Sequence, residues 1–303
     1  MQQQIELLEN NNQMGTARNY RQAYHSLSTF RGGKDLSFHQ FDDQLIEAYN
    51  AYLVKRGLVR NTISFYMRIL RSVYNKAAEK CFVKQTYPFR NVYTGIDNTR
   101  KRAVDEDVIS LLCKLNLQYS PPLQLARDLF LFSYATRGMA FIDMAYLRKK
   151  DIHDGVLNYT RHKTGQLMQV RIEADVQQLI DRYAPSGRKS PFLLPILKTE
   201  REPECYAQYK VALNYYNRLL KRLSELLGLE SGLSSYTSRH SWATAARNHN
   251  IPLNVISAGM GHSSEQTTRI YLATLENNVI DDANQSLIDN IFQPIDISDK
   301  QFE

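Results

Sequence analysis

The stretch GMGHSSEQTTRIY, residues 259–271, places His262 nine positions before Tyr271, with a serine–threonine run between them. On one continuous α-helix nine residues span roughly 13 Å at about 100° per residue, which sets the two side chains on opposite faces. They can act together only if the chain turns between them. Gly259 and Gly261 permit a tight bend. Ser263-Ser264-Glu265-Gln266 reads as a capping box, with Ser263 at the cap and Gln266 reaching back. The spacing therefore predicts His262 in a turn and Tyr271 at least two turns into a short helix.

Working outward, SSYTSRHSWATAARNHN (234–250) puts Tyr236, Arg239 and His240 on one helix face at i, i+3 and i+4, while Trp242, Ala243 and Ala246 read as core. Further upstream, VLNYTRHKTGQLMQVRIEA (156–174) has strand-like residues on both sides of Lys163-Thr164-Gly165, a hairpin with a glycine turn. PPLQLARDLFLFSYATRGMAFIDMAYLRKKDI (121–152) begins as a nearly all-apolar helix that ends near Arg137. A helix N-terminus, two guanidiniums, a lysine and a histidine together describe a phosphate site. Taken singly, each has an ordinary reading: Arg137 as a surface ion pair, Lys163 as a turn residue, His262 as a satisfied loop histidine.

The first hundred residues read as a small domain of about four helices. In NTISFYMRILRSVYNKAAEK (61–80), Ile63, Tyr66, Met67, Leu70, Val73, Tyr74 and Ala77 form a buried stripe. The opposite stripe, Ser64, Arg68, Arg71 and Asn75, is either a phosphate-binding or a solvated face. Weaker amphipathic helices are expected at 16–30 and 42–57. YTGIDNTRKRAV (93–104) has no hydrophobic period and clusters Arg100, Lys101 and Arg102, so it reads as a linker. A larger domain follows, opening with the helix DEDVISLLCKL. The expected division is a helical unit at 1–95, a basic linker at 96–104 and a second domain at 105–303. The fold class is mainly α with a small antiparallel β-sheet, the second domain being α+β. No alternating βα units, G-x-G-x-x-G or P-loop occur.

Composition bounds the function. Of 303 residues 43% are hydrophobic, enough for two cores, and 38 Lys and Arg against 31 acids give a formal charge of +7. That charge fits a polyanion partner without proving one. Cys81, Cys113 and Cys205 form no C-x-x-C pair, which argues against a disulfide framework or zinc cluster and favours a reducing cytoplasm. The N-terminus does not read as a signal peptide, and no apolar run of about 18 residues suggests a membrane span.

The ordered set is more specific than its members. RHSWATAARNHNIPLNVISAGMGHSSEQTTRIY (239–271) resembles the tyrosine recombinase (phage integrase) family, with its second arginine, Gly-His turn and tyrosine nine residues later. GLVRNTISFYMRILRSVYNKAAEKCFV is similar to the last helices of the family's SAM-like core-binding domain. KRAVDEDVISLL is similar to the linker into its catalytic domain, and RHKTG to its hairpin lysine. The size is similar to that of the compact, Xer-like members.

The resemblance implies that Tyr271 attacks a DNA phosphodiester to form a 3′-phosphotyrosyl bond and free a 5′-hydroxyl. It implies that Arg137 and Arg239 hold the non-bridging oxygens and that Lys163 is the general acid. His262 is implied to support the phosphate or assist proton transfer. A phenolate at pH 7 costs about 4 kcal/mol without nearby cations or a base, which accounts for the residue types. The linkage stores the broken bond, so neither ATP, metal nor other cofactor is implied. Arg68, Arg71, Arg100, Lys101 and Arg102 become candidate DNA contacts. The implied partner is double-stranded DNA with inverted-repeat sites, bound by a homotetramer that is a monomer or weak oligomer when free, with no membrane role.

Two features depart from the family pattern. Tyr236 stands where the family has histidine; a phenol can donate to a phosphate but is a poor base near neutral pH. His240 either substitutes in part or packs. Arg137 precedes Asp143 by six residues instead of three, which implies a three-residue insertion. Asp143 reads as a partner for an arginine or as a helix-surface acid. The tail NNVIDDANQSLIDNIF (277–292) is amphipathic and either docks on a neighbouring subunit or on its own domain. Site-specific recombination is the expected function. A type IB topoisomerase-like nicking and resealing activity and a non-catalytic DNA-binding protein on a recombinase scaffold are the alternatives.

Overall fold

A computed structural model describes residues 1–97, 103–184, 190–272 and 288, with the side chains of residues 270 and 271 outside the description. The chain divides into two compact units, Met1–Thr99 and Arg100–Glu303. The first holds α1 (Gln2–Asn10), α2 (Met14–Phe30), α3 (Asp43–Lys55) and α4 (Arg60–Glu79). Asp42 caps α3, its carboxylate accepting the Leu45 N–H at 2.8 Å. The apolar stripe of α4 is inside: Met67, Leu70 and Tyr74 pack with Ile46, Tyr49 and Leu53 of α3.

The polar stripe of α4 differs from the open face that its sequence suggests. Ser64 is 1% exposed and donates to the Gly95 carbonyl. Asn61 brackets Asp97 through two hydrogen bonds of 2.8 and 3.0 Å, and Arg71 donates to Thr94 Oγ1 at 2.8 Å. Residues 93–97, expected to be linker, are therefore bound to α4. Hydropathy carries no signal for this, because the segment docks through side-chain amides and hydroxyls. Arg100, Lys101 and Arg102 lie outside the described residues, as does the 277–292 tail except residue 288.

The second unit contains α5 (Glu106–Lys114), α6 (Pro121–Ala135), α7 (Phe141–Tyr146), β1 (Ile152–His153), β2 (Val156–Thr160), β3 (Leu167–Arg171) and α8 (Ala174–Tyr183). It continues with α9 (Glu204–Leu226), α10 (Thr237–Asn248), α11 (Leu253–Met260) and α12 (Glu265–Leu272). The sheet order is β1-β2-β3, antiparallel, with Thr160 opposite Leu167 closing the hairpin. α6 is apolar on every side because α5, α8, α9 and α10 surround it. Its two interior charges are paired: Arg127 binds Asp128, whose other oxygen accepts from Arg182 at 2.6 Å and Tyr183 at 2.7 Å. Among the described residues no helix is long and apolar enough to cross a membrane.

Candidate active site

Four chain turns of the second unit supply the candidate residues. The first ends α6. Arg137 has φ +62°, the left-handed position that usually belongs to glycine, and Gly138 follows at φ +70°. The Gly138 N–H reaches the Ser133 carbonyl at 2.8 Å, closing the helix in a Schellman-type turn. A β-carbon on Gly138 would lie 2.7 Å from Arg239 Cα, so glycine lets the α6 turn press against α10. Arg137 Nη1 donates to the Gln169 carbonyl on β3 at 3.2 Å.

The second turn ends α11. Gly261 takes φ +63°, and the His262 N–H returns to the Ser257 carbonyl at 3.0 Å. A β-carbon on Gly261 would meet Met168 Sδ at 2.8 Å, and one on Gly259 would meet the Trp242 ring at 2.9 Å. His262 is thus in a turn after a helix, as its spacing from Tyr271 requires. α12 begins at Glu265, one residue later than a Ser263 cap implies. Ser264 is the flanking residue, and its hydroxyl meets Thr267 Oγ1 at 3.2 Å.

The third turn is the β2–β3 loop, with Gly165 at φ +69°. Lys163 is exposed at its tip. Asp143 is neither an arginine partner nor a surface acid in its described contacts. It is 3% exposed, and one oxygen accepts the His162 backbone N–H at 2.9 Å and pairs with His162 Nδ1 at 3.2 Å. A carboxylate on α7 therefore fixes the hairpin that carries the lysine. Arg161, two residues before Lys163, is 7% exposed and donates to the Gly261 carbonyl, tying the hairpin to the Gly-His turn.

The fourth turn opens α10. Tyr236 is the N-cap residue and is largely exposed, with its ring 6.1 Å from that of His240. Arg239, 4% exposed, sits below it: Nη1 donates to Gly138 O at 2.7 Å, and Nη2 to Met260 O at 2.6 Å and His262 Nε2 at 3.2 Å. One guanidinium thus joins the ends of α6 and α11. Burial, then the charges of Arg239, Arg161 and Lys163, push the His262 pKa down to about 4. The imidazole is neutral near pH 7.

Arg239 and His262 come together through these contacts, the turn that carries Arg137 meets Arg239 at the Gly138 carbonyl, and the Lys163 charge acts on His262. Tyr271 lies in α12, its side chain outside the described residues. Arg68 and Arg71 belong to the other unit, on α4. Sequence reasoning missed Arg161 and Thr268, whose Oγ1 is 2.8 Å from His262 Nδ1. Arg161 stands two positions before a lysine already singled out, which is a usable signal; Thr268 reads only as a polar helix residue.

A family model described as "Phage integrase SAM-like domain" matches residues 1–93, and one described as "Phage integrase family" matches residues 104–278. Tyrosine recombinase XerC of Halalkalibacterium halodurans is 24% identical over 253 residues, covering 81% of this chain and 82% of that protein. A lambda integrase(75-356) dimer bound to a COC′ core site superposes with a TM-score of 0.65 at 16% identity, over 87% of this chain and 90% of that one. A lambda integrase tetramer bound to a Holliday junction gives 0.60 at 18% identity, over 83% and 69%. At these identities the structural likeness speaks to the fold. The integrase model spans more than half of the 303 residues, and this protein therefore belongs to the phage integrase family, as a tyrosine recombinase.

Proposed function

We propose that this tyrosine recombinase cleaves and rejoins duplex DNA at specific sites through a 3′-phosphotyrosyl intermediate on Tyr271. The observation that carries the reading is Arg239, which joins two helix ends and His262 in one buried cluster beside the turn leading into α12. Tyr271 Oη attacks phosphorus, the P–O5′ bond breaks, and Lys163 protonates the departing 5′-oxygen. Arg239 and Arg137 offset charge on the non-bridging oxygens; one such donor typically contributes about 3–4 kcal/mol to the barrier. His262, neutral, supports the phosphate or accepts the phenol proton, and Tyr236 donates to the phosphate from the start of α10. Attack of a 5′-hydroxyl on the phosphotyrosine reverses the step, so rejoining consumes no ATP.

In this reading residues 1–95 grip the DNA with Arg68 and Arg71, residues 96–104 link through Arg100, Lys101 and Arg102, and residues 105–303 carry catalysis and the exchanging tail. The protein works in the cytoplasm as a tetramer on inverted-repeat sites. Relatives of known structure on a core site and on a Holliday junction support duplex DNA as the partner.

The test is a nicked suicide duplex built from inverted repeats near the gene, with an SDS-resistant protein–DNA band as readout. Wild type forms the band and Tyr271→Phe does not. A shift in a native gel with no covalent band in wild type leaves a DNA-binding protein without the activity. A two-site assay separates recombination from nicking and resealing.

A further inference from the structure

We propose that Thr268 is a positioning residue whose hydroxyl holds the His262 imidazole in one tautomer and ties α12, which carries Tyr271, to the Gly-His turn. Arginine has only donors, so the 3.2 Å contact between Arg239 Nη2 and His262 Nε2 requires a lone pair on Nε2. In a neutral imidazole the proton then sits on Nδ1. Nδ1 lies 2.8 Å from Thr268 Oγ1, which accepts it. Thr268 is 0% exposed, so no water replaces this acceptor in the folded protein.

The threonine does two things at once. It leaves the Nε2 lone pair directed at the arginine cluster, where it can accept a phenol proton, while a phosphate oxygen, itself an acceptor, is met by the arginine donors. It also fixes α12 three residues before Tyr271, and positions three apart share a helix face. Holding Thr268 therefore sets the rotation of the helix at the nucleophile's position. The hydroxyl links the two residues, His262 and Tyr271, that the chain separates by nine positions.

This rests on the reading of His262 and Tyr271 given above, and the experiment separates the two. Valine matches threonine in shape and lacks the hydroxyl; serine keeps the hydroxyl and drops the methyl. Long-range 1H–15N spectra of the full chain without DNA report which His262 nitrogen bears the proton. The suicide duplex reports the rate of covalent capture. Wild type and Thr268→Ser should both show a protonated Nδ1 and an unprotonated Nε2, and should capture DNA at similar rates. Thr268→Val should change the imidazole pattern and slow capture roughly 10- to 100-fold, as for a buried donor left without its acceptor. Its native-gel affinity for the duplex should remain close to wild type, and its thermal midpoint should fall only by the few degrees that one unpaired buried donor costs, which separates the effect from unfolding or weak binding.

A wild-type His262 protonated on Nε2 overturns the proposal. So does capture by Thr268→Val at the wild-type rate, or capture by Thr268→Ser as slow as by the valine variant. If wild type itself forms no Tyr271-dependent adduct, the recombinase chemistry fails, and the spectra still decide the tautomer.

Discussion

Arg137 offers a prediction in which stability and activity separate. Its φ of +62° puts an L-residue in the left-handed region, at a cost of roughly 1–2 kcal/mol. Glycine pays no such steric cost, but frees the unfolded chain by about 0.4–1 kcal/mol. Subtracting the midpoints of these ranges, Arg137→Gly should be more stable than Arg137→Ala by about 0.8 kcal/mol. In a helix interior the sign is opposite, with glycine worse than alanine by about 1 kcal/mol. Both variants lose the 3.2 Å bond to the Gln169 carbonyl, so that contact cancels from the comparison. For a unit of this size the difference is about 1–4 °C in Tm, readable by circular dichroism. Both variants lose the guanidinium and should capture the suicide duplex roughly 100- to 1,000-fold more slowly. An alanine variant as stable as the glycine variant would refute the left-handed turn. Wild-type capture by either would remove Arg137 from the phosphate.

Gly138→Ala should destabilise by about 2–4 kcal/mol, combining the left-handed penalty with overpacking, because the added carbon lies 2.7 Å from Arg239 Cα. Urea denaturation checks this, and a loss under about 1 kcal/mol would mean that the α6 turn moves freely away from α10. His262 should titrate near pH 4 in the DNA-free protein, against about 6.5 when unfolded. Between these values the unfolded chain takes a proton that the folded one refuses, so this group makes stability fall as pH drops from about 6.5 towards 4. NMR titration is the measurement, and an apparent value at or above 6.5 would contradict the buried, arginine-flanked imidazole.

The site was partly legible before folding, and the residues show why. Glycines 259 and 261, with His262 and Tyr271, form a local pattern, and the need for a turn between histidine and tyrosine follows from helix geometry alone. α4 declared its buried face because apolar spacing is a local property. Its polar face misled, since Ser64 and Asn61 find their partners more than thirty residues away, at Gly95 and Asp97. Asp143 was visible as an acid, but not as the anchor of His162, because that contact joins α7 to the hairpin.

By itself, then, the sequence determined the helical class, the hairpin around Lys163 and the ordered set of cations, histidine and tyrosine that marks the family. Each is written in neighbouring residues, through periodicity, turn-forming glycines or motif order. Only the tertiary structure decided that Arg239 lies beneath Gly138, that Arg161 holds the Gly261 carbonyl, and that Thr268 faces His262. These choices depend on buried donors finding acceptors across distant turns. A polar atom removed from water must be paired somewhere, and only the packed chain says where.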